Sequence, residues 1–192
     1  MTRPETIDKE IAQILGDLGT CRHISIGIEH GNDRIRREYL NRHISNERMI
    51  DAFKLLENAG IQTTSYNMIG FPTETRKEIF ETIELNRRIN PEIALMSFFY
   101  PYKGTPLRDI CINMGLIKPN VGMVDYGEES ILNMPQISKE EIHGFRRTFI
   151  LYIRAPKILY PLIKLCEREN KISNIIYNIF RIYYSIKMNG EI

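Results

Sequence analysis

Ile24-Ser25-Ile26-Gly27-Ile28-Glu29-His30-Gly31-Asn32-Asp33, continued by Leu40-Asn41-Arg42, is the stretch that decides the fold. Ile24 to Ile28 is a short apolar run with one glycine inside, the composition of a buried strand. Glu29 closes it, a Gly-Asn turn follows, and Asp33 opens a helix. In a parallel α/β sheet, ligands bind beyond the carboxyl ends of the strands. Glu29, His30, Gly31 and Asn32 are therefore the first candidates for contact with a small molecule. The same grammar recurs at Asn67-Met68-Ile69-Gly70-Phe71-Pro72 and at Ser97-Phe98-Phe99-Tyr100-Pro101. Three strands thus end in a polar, Gly or Pro turn ahead of a helix.

Working outward, Arg3-Pro4-Glu5 reads as the exit of an earlier strand. Ile7, Ile11, Leu15 and Leu18 repeat near the helical period, which predicts a helix over 6–18 stopped by Gly19. Arg34, Arg36 and Arg37, on the short helix Asp33 to Leu40, read as a solvated face. Ser45 caps a helix to Ala59 whose buried stripe is Met49, Ile50, Phe53 and Leu56. The second strand is Gln62 to Ile69. Thr75-x-x-Glu78 is a capping box opening a helix to about Ile89. The third strand, Ile93 to Tyr100, is continuously apolar, as expected of a strand covered on both faces. Thr105-Pro106 supplies an N-cap and a first-position proline for a helix ending at Gly115. Strand starts recur at roughly 35 residues, the spacing of βα units. Residues 117–137 form an irregular connection. A second capping box, Ser138-x-x-Glu141, then opens a helix to about Ile153. The last segment, Ile172 to Met188, sets Ile175, Ile176, Ile179, Ile182, Tyr183 and Ile186 along one broad helical side.

With 192 residues, 43% hydrophobic and 26% charged, the chain suits one globular domain with an appendage. A net charge of +2 is too small to argue for nucleic acid. Cys21, Cys111 and Cys166 form neither a CxxC nor a disulfide framework, and the spacing suits no metal. His23, His30, His43 and His143 show no metal-ligand spacing either. No apolar stretch follows the N-terminus as a signal peptide would require. Thr148 to Leu165 is broken by Arg154, Pro156, Lys157, Pro161 and Lys164, so no membrane span is expected. A cytoplasmic protein is the expectation.

Two readings of Glu29 stand side by side. Its carboxylate caps the following turn, or it accepts from a ribose hydroxyl, which suits an acceptor-only group. Arg42, in the turn after Asn41, is a surface charge or the partner of a ligand carboxylate, which its planar donors suit. Gly70, Phe71 and Pro72 make a turn first and a binding loop second.

Taken in order, these tips resemble the radical S-adenosylmethionine (SAM) superfamily. They are Ile26 to Asp33, Leu40-Asn41-Arg42, Tyr66 to Thr75, and Phe99-Tyr100-Pro101-Tyr102-Lys103-Gly104-Thr105-Pro106-Leu107. The resemblance is nearest to members that carry a cobalamin-binding domain, of the anaerobic Mg-protoporphyrin ester cyclase type. It implies an α/β fold: a partial (β/α) barrel fragment with three or so parallel strands, over 1–116, then a helical C-terminal region over 117–192. The strands correspond to the fourth, fifth and sixth of the family barrel. The resemblance places Glu29 at the SAM ribose, Arg42 at the SAM carboxylate, Asn67 to Gly70 at the adenine-side wall and Tyr100 near the adenine. His30 stands where many relatives have Ser.

The family's CxxxCxxC loop, which holds a 4Fe-4S cluster, is not in this sequence, and its Gly-Gly-Glu-type loop is missing too. Three thiolates are needed for such a cluster. The expectation is a truncated or split C-terminal half of a radical SAM enzyme, holding part of the SAM site. It would be inactive without partner polypeptide carrying the cluster loop, in the family joined in some members by a cobalamin domain. An uncovered sheet edge also invites an oligomer. A degenerate, non-catalytic module binding a partner through the helical tail is the alternative. A free-standing enzyme is a third, weaker one for want of a nucleophile–base pair.

Overall fold

The computed structural model describes residues 1–121 and 129–188. In chain order the elements are α1 (Lys9–Asp17), β1 (His23–Glu29), α2 (Asp33–Leu40), α3 (Asn46–Asn58), β2 (Gln62–Ile69), α4 (Arg76–Ile89), β3 (Ile93–Phe98) and α5 (Pro106–Asn113). Then follow α6 (Lys139–Arg154), α7 (Tyr160–Leu165) and α8 (Lys171–Met188). The three strands form one parallel sheet in the order β1-β2-β3. This is the open α/β architecture with a helical tail that the sequence predicts. Both expected capping boxes are present, at Thr75/Glu78 and Ser138/Glu141.

Register fixes which side chains share a face. Ser25 pairs with Thr64 and Gly27 with Tyr66; the ladder then slips, so that Glu29 pairs with Asn67. Tyr66 pairs in turn with Leu95 of β3. Side chains alternate along a strand. Ser65 and Asn67 therefore face α4, where Ser65 Oγ donates to Asn86 Oδ1 at 2.6 Å and Asn86 Nδ2 donates to Asn67 Oδ1 at 2.7 Å. Gly27, Tyr66 and Leu95 face the other way. That second face is open: Tyr66 is 39%, Leu95 43% and Ile93 44% exposed.

The third strand thus departs from expectation. It stops at Phe98, and only one of its faces is covered. Phe99 and Tyr100 are buried in the core beyond its end, with one last bond to β2 from Phe99 N–H to Ile69 O at 2.7 Å. A continuous apolar run signals burial but does not say whether the backbone stays in the sheet.

The outer edge of β1 is partly occupied. Thr2 N–H donates to Ser25 O at 2.8 Å and Gly27 N–H to Thr2 O at 3.1 Å, a single parallel bridge. The strand exit read at Arg3-Pro4-Glu5 is this segment.

Two cores hold the layers. One packs Ile26 and Ile28 of β1 on Met49, Phe53 and Leu56 of α3. The larger joins Ile69, Phe71, Phe98 and Phe99 to Phe145, Phe149 and Tyr152 of α6, reaching Tyr184 in α8. Residues on both sides of position 116 share it.

Arg36 contradicts the reading of α2 as a solvated basic face. Its side chain is fully buried. Nη1 donates to His30 O at 2.7 Å and Nη2 to Ile44 O at 2.9 Å, tying the β1 tip to the start of α3. A guanidinium carries five donors, and loop carbonyls without ladder partners take two of them. Arg37 is exposed, as expected, and Arg34 pairs with Glu38 and Glu78.

Candidate functional site at the strand tips

The tips of β1 and β2 are clasped by one buried pair. His30 and Glu74 are both fully buried, with His30 Nε2 2.7 Å from Glu74 Oε1. Asn32 N–H donates to His30 Nδ1 at 3.0 Å. A ring nitrogen that accepts carries no proton, so the hydrogen sits on Nε2 and is given to Glu74. The other carboxylate oxygen of Glu74 accepts from Gly70 N–H at 2.5 Å and Phe71 N–H at 2.9 Å. One carboxylate therefore holds the backbone of the second tip and the imidazole of the first.

Around this clasp most of the predicted site residues serve packing. Gly31 N–H donates to Thr82 Oγ1 at 2.9 Å. A Cβ on Gly31 would lie 2.5 Å from Glu81 O and from Thr82 Cα, inside the α4 backbone. Gly31→Ala is therefore expected to cost about 2–3 kcal/mol or more, since helix backbone cannot give way as a side chain can; urea unfolding measures it. Asn32 caps α2, accepting from Ile35 N–H at 3.0 Å, and donates to Glu81 at 2.7 Å. Phe71 is fully buried and stacks on Phe99 with centroids 4.6 Å apart; Pro72 is buried beside it. Gly70, at φ +90°, lies beneath Ser130 and Ile142, so the β2 tip is covered by the approach to α6. Tyr100 is 9% exposed, its ring 5.2 Å from Tyr102. Asn67 points into the helix layer.

Glu29 stands apart. It has φ 69°, which turns the chain out of the ladder at the slip in register. Its Oε1 lies 2.5 Å from where a Cβ on Gly27 would be. Since Gly27 pairs with Tyr66, that direction is the open face. The glycine inside the strand thus makes room for a carboxylate laid over it. Among the described residues, this half-buried carboxylate makes no side-chain hydrogen bond. Burial pushes its pKa up, and the nearby Arg42 guanidinium pulls it part of the way back.

This gives a sign to its pH dependence. A carboxyl whose folded pKa is raised opposes folding once ionised; the penalty is full above the raised pKa, fades as pH falls from there toward its ordinary value of 4.5, and is gone below that. Glu29→Gln is therefore expected to stabilise the fold at neutral pH, by an amount reduced by the solvent that still reaches the group. The gain should vanish in acid, as read by urea midpoints at both pH values.

Arg42 sits beside Glu29 with its fork occupied. Nε and Nη2 donate to Glu5 at 2.7 and 2.8 Å, and Nη1 to the carbonyls of Gly27 and Ile28 at 2.8 and 3.1 Å. The guanidinium fastens the irregular end of β1 and holds the Glu5 carboxyl below its usual range.

Sequence reasoning gave Tyr66 no role at the site and passed over Leu95; on the open face Tyr66 pairs with Gly27, and Leu95 lies beyond it on β3. Period-two alternation carries the signal: stepping from Asn67 to Tyr66 changes the face. It also passed over Glu74, whose role depends on a fold-back that spacing does not encode.

A cleft of about 920 Å³ lies elsewhere, bordered by Arg76, Ser138, His143, Arg147, Lys164 and Glu167. Some of its charges are spent on one another: Arg76 pairs with Glu167, which also accepts from Tyr152 OH at 2.5 Å, and Arg147 pairs with Glu169 at 3.6 Å. The strand tips carry the half-buried Glu29 carboxylate, which has no protein hydrogen-bond partner among the described residues, and are the better site by chemistry. Among the described residues no group of His, Cys, Asp and Glu is placed to hold a metal ion. Cys111 and Cys166 are buried, and burial pushes the Cys111 thiol up to about 11 and the Cys166 thiol in the same direction.

Residues 1–85 match the Radical SAM superfamily. An uncharacterised methyltransferase of Pyrococcus horikoshii is 26% identical over 185 residues, covering 95% of this chain and 39% of that protein. A tRNA-2-methylthio-N(6)-dimethylallyladenosine synthase of Protochlamydia amoebophila is 29% identical over 110 residues, covering 55% of this chain and 24% of the relative. The chain thus spans well under half the length of these relatives. Among solved structures, the radical S-adenosylmethionine methyltransferase TsrM of Kitasatospora setae, with cobalamin and a 4Fe-4S cluster bound, superposes with a TM-score of 0.57. It covers 94% of this chain and 44% of that one at 13% identity, a likeness of fold.

Proposed function

We propose, from the match of residues 1–85 to the Radical SAM superfamily, that this chain supplies the nucleoside side of a SAM site within a larger radical SAM assembly. The observation that carries this reading is Glu29: a half-buried carboxylate with no side-chain hydrogen bond among the described residues, laid over Gly27 on the open face. A ribose offers two adjacent O–H donors, and an ionised carboxylate has only acceptors to offer. Tyr66, across the sheet from Gly27, adds an exposed ring on the same face. Arg42 meets the ligand carboxylate in this reading by exchanging Glu5 for it.

The residues present do not fit an iron–sulfur cluster. The three cysteines are scattered, and Cys111 and Cys166 are buried with raised thiol pKa values, whereas cluster ligands are thiolates. In this proposal the cluster loop, and any cobalamin domain, belong to polypeptide outside these 192 residues, which also covers the open face of the sheet.

The test is SAM binding to the chain completed by the N-terminal part of a radical SAM relative. The completed protein should bind SAM, and Glu29→Ala should weaken binding roughly 10–100-fold, the worth of one hydrogen bond to a charged group. Unchanged affinity in that variant, or no binding by the completed protein, overturns the proposal.

A further inference from the structure

α8 has one face on the protein and one face with nothing on it. Ser173 and Tyr184 are buried against the body, and Arg147 of α6 lies over the Tyr177 ring at 4.4 Å. On the outward side Ile172, Ile175, Ile179 and Ile182 are 71%, 62%, 63% and 57% exposed. Their spacing of three and four residues puts them in a single stripe. The neighbouring α7 adds Leu162 at 45% and Leu165 at 56% exposure.

The charge around this apolar surface has one sign. From Lys157 to Arg181 the only acids are Glu167 and Glu169. Both are taken by arginines of other helices: Glu167 by Arg76 of α4 and Glu169 by Arg147 of α6, the latter at 3.6 Å. Lys157 is paired with Glu84 at 2.8 Å. Lys164, Arg168, Lys171 and Arg181 have no acidic partner among the described residues. Lys164, next to Leu165, and Lys171, next to Ile172 and one turn from Ile175, thus border the apolar surface, while Arg181 lies further round α8.

Two occupants suit an exposed stripe of this kind. A second copy of the chain would bring these same cations together, with no free acid to meet them, and like charges repel. A bilayer surface with anionic headgroups complements them instead, while the stripe enters the boundary between headgroups and acyl chains. We propose that α7 and α8 dock this protein onto an anionic lipid surface. The docking is peripheral, since no described helix is long and apolar enough to cross a membrane.

The experiment is co-sedimentation of the 192-residue chain with phosphatidylcholine vesicles, with and without phosphatidylglycerol. Binding should be at least about tenfold tighter with the anionic lipid and should weaken as salt rises. Lys164→Glu and Lys171→Glu should each lose roughly fivefold or more, the expected effect of one basic residue near such a surface. Ile175→Asp and Ile179→Asp should abolish sedimentation, while Ile14→Asp, 51% exposed but on α1, should leave it unchanged. Circular dichroism establishes that each variant is folded. A folded chain that ignores anionic vesicles overturns the proposal, as does an Ile175→Asp variant that binds like the parent. Concentration-dependent self-association through the stripe without vesicle binding also overturns it, in favour of a second copy.

Discussion

Glu74→Ala is expected to cost about 3–5 kcal/mol of folding stability, the range for breaking a buried polar pair by removing one partner. Glu74 is fully buried and accepts three hydrogen bonds, from His30 Nε2–H, Gly70 N–H and Phe71 N–H. Alanine would strand all three donors out of reach of water. Glu74→Gln is the informative companion. The amide keeps one acceptor oxygen but turns an N–H₂ toward donors, so it should recover part of the loss and not all. Urea unfolding of both variants, with the slope unchanged, reads the difference. A cost below about 1 kcal/mol for alanine, the value of an exposed ion pair, would show that the clasp does not hold the tips.

Arg36→Ala comes next, at an expected cost of about 3–5 kcal/mol. Two buried carbonyls, those of His30 and Ile44, lose their donors at about 1–3 kcal/mol each, and the truncated side chain leaves a cavity. The guanidinium sits where burial lowers its pKa, so the site already strains against holding charge. Arg36→Met fills the volume without the donors and should therefore recover only the packing share. Arg37→Ala, on the exposed side of the same helix, should fall within about 0.5 kcal/mol of the parent. If Arg36→Ala behaved like Arg37→Ala, the guanidinium's bridge between β1 and α3 would carry no weight.

The contrast between Arg36 and Arg37 shows where the sequence was legible and where it was not. Strand and helix positions follow from apolar period, capping boxes and Pro/Gly punctuation, and these are local signals. Which of three near-adjacent arginines turns inward depends on carbonyls left free by a turn several residues away. No period records that. Gly27 is a similar case. It reads from sequence as a mere interruption of a strand, and its meaning appears only when Glu29 is seen lying over it. Asn67 and Tyr66 differ by one step, yet the step moves a side chain from the helix layer to the open face. The strand tips were legible as a set, because turn chemistry marks them. Their division into packing residues and one unsatisfied carboxylate was not, because it rests on contacts between segments more than forty residues apart in sequence, such as His30 with Glu74.

The clasp between the first two tips has a thermodynamic corollary. Because one carboxylate joins both turns, the walls flanking Glu29 are already in place before any molecule arrives. A ligand meeting such walls loses its own freedom on docking but does not have to order the protein as well. Affinity at this position should then respond weakly to agents that loosen the helical tail, and sharply to any change that lets the two turns drift apart.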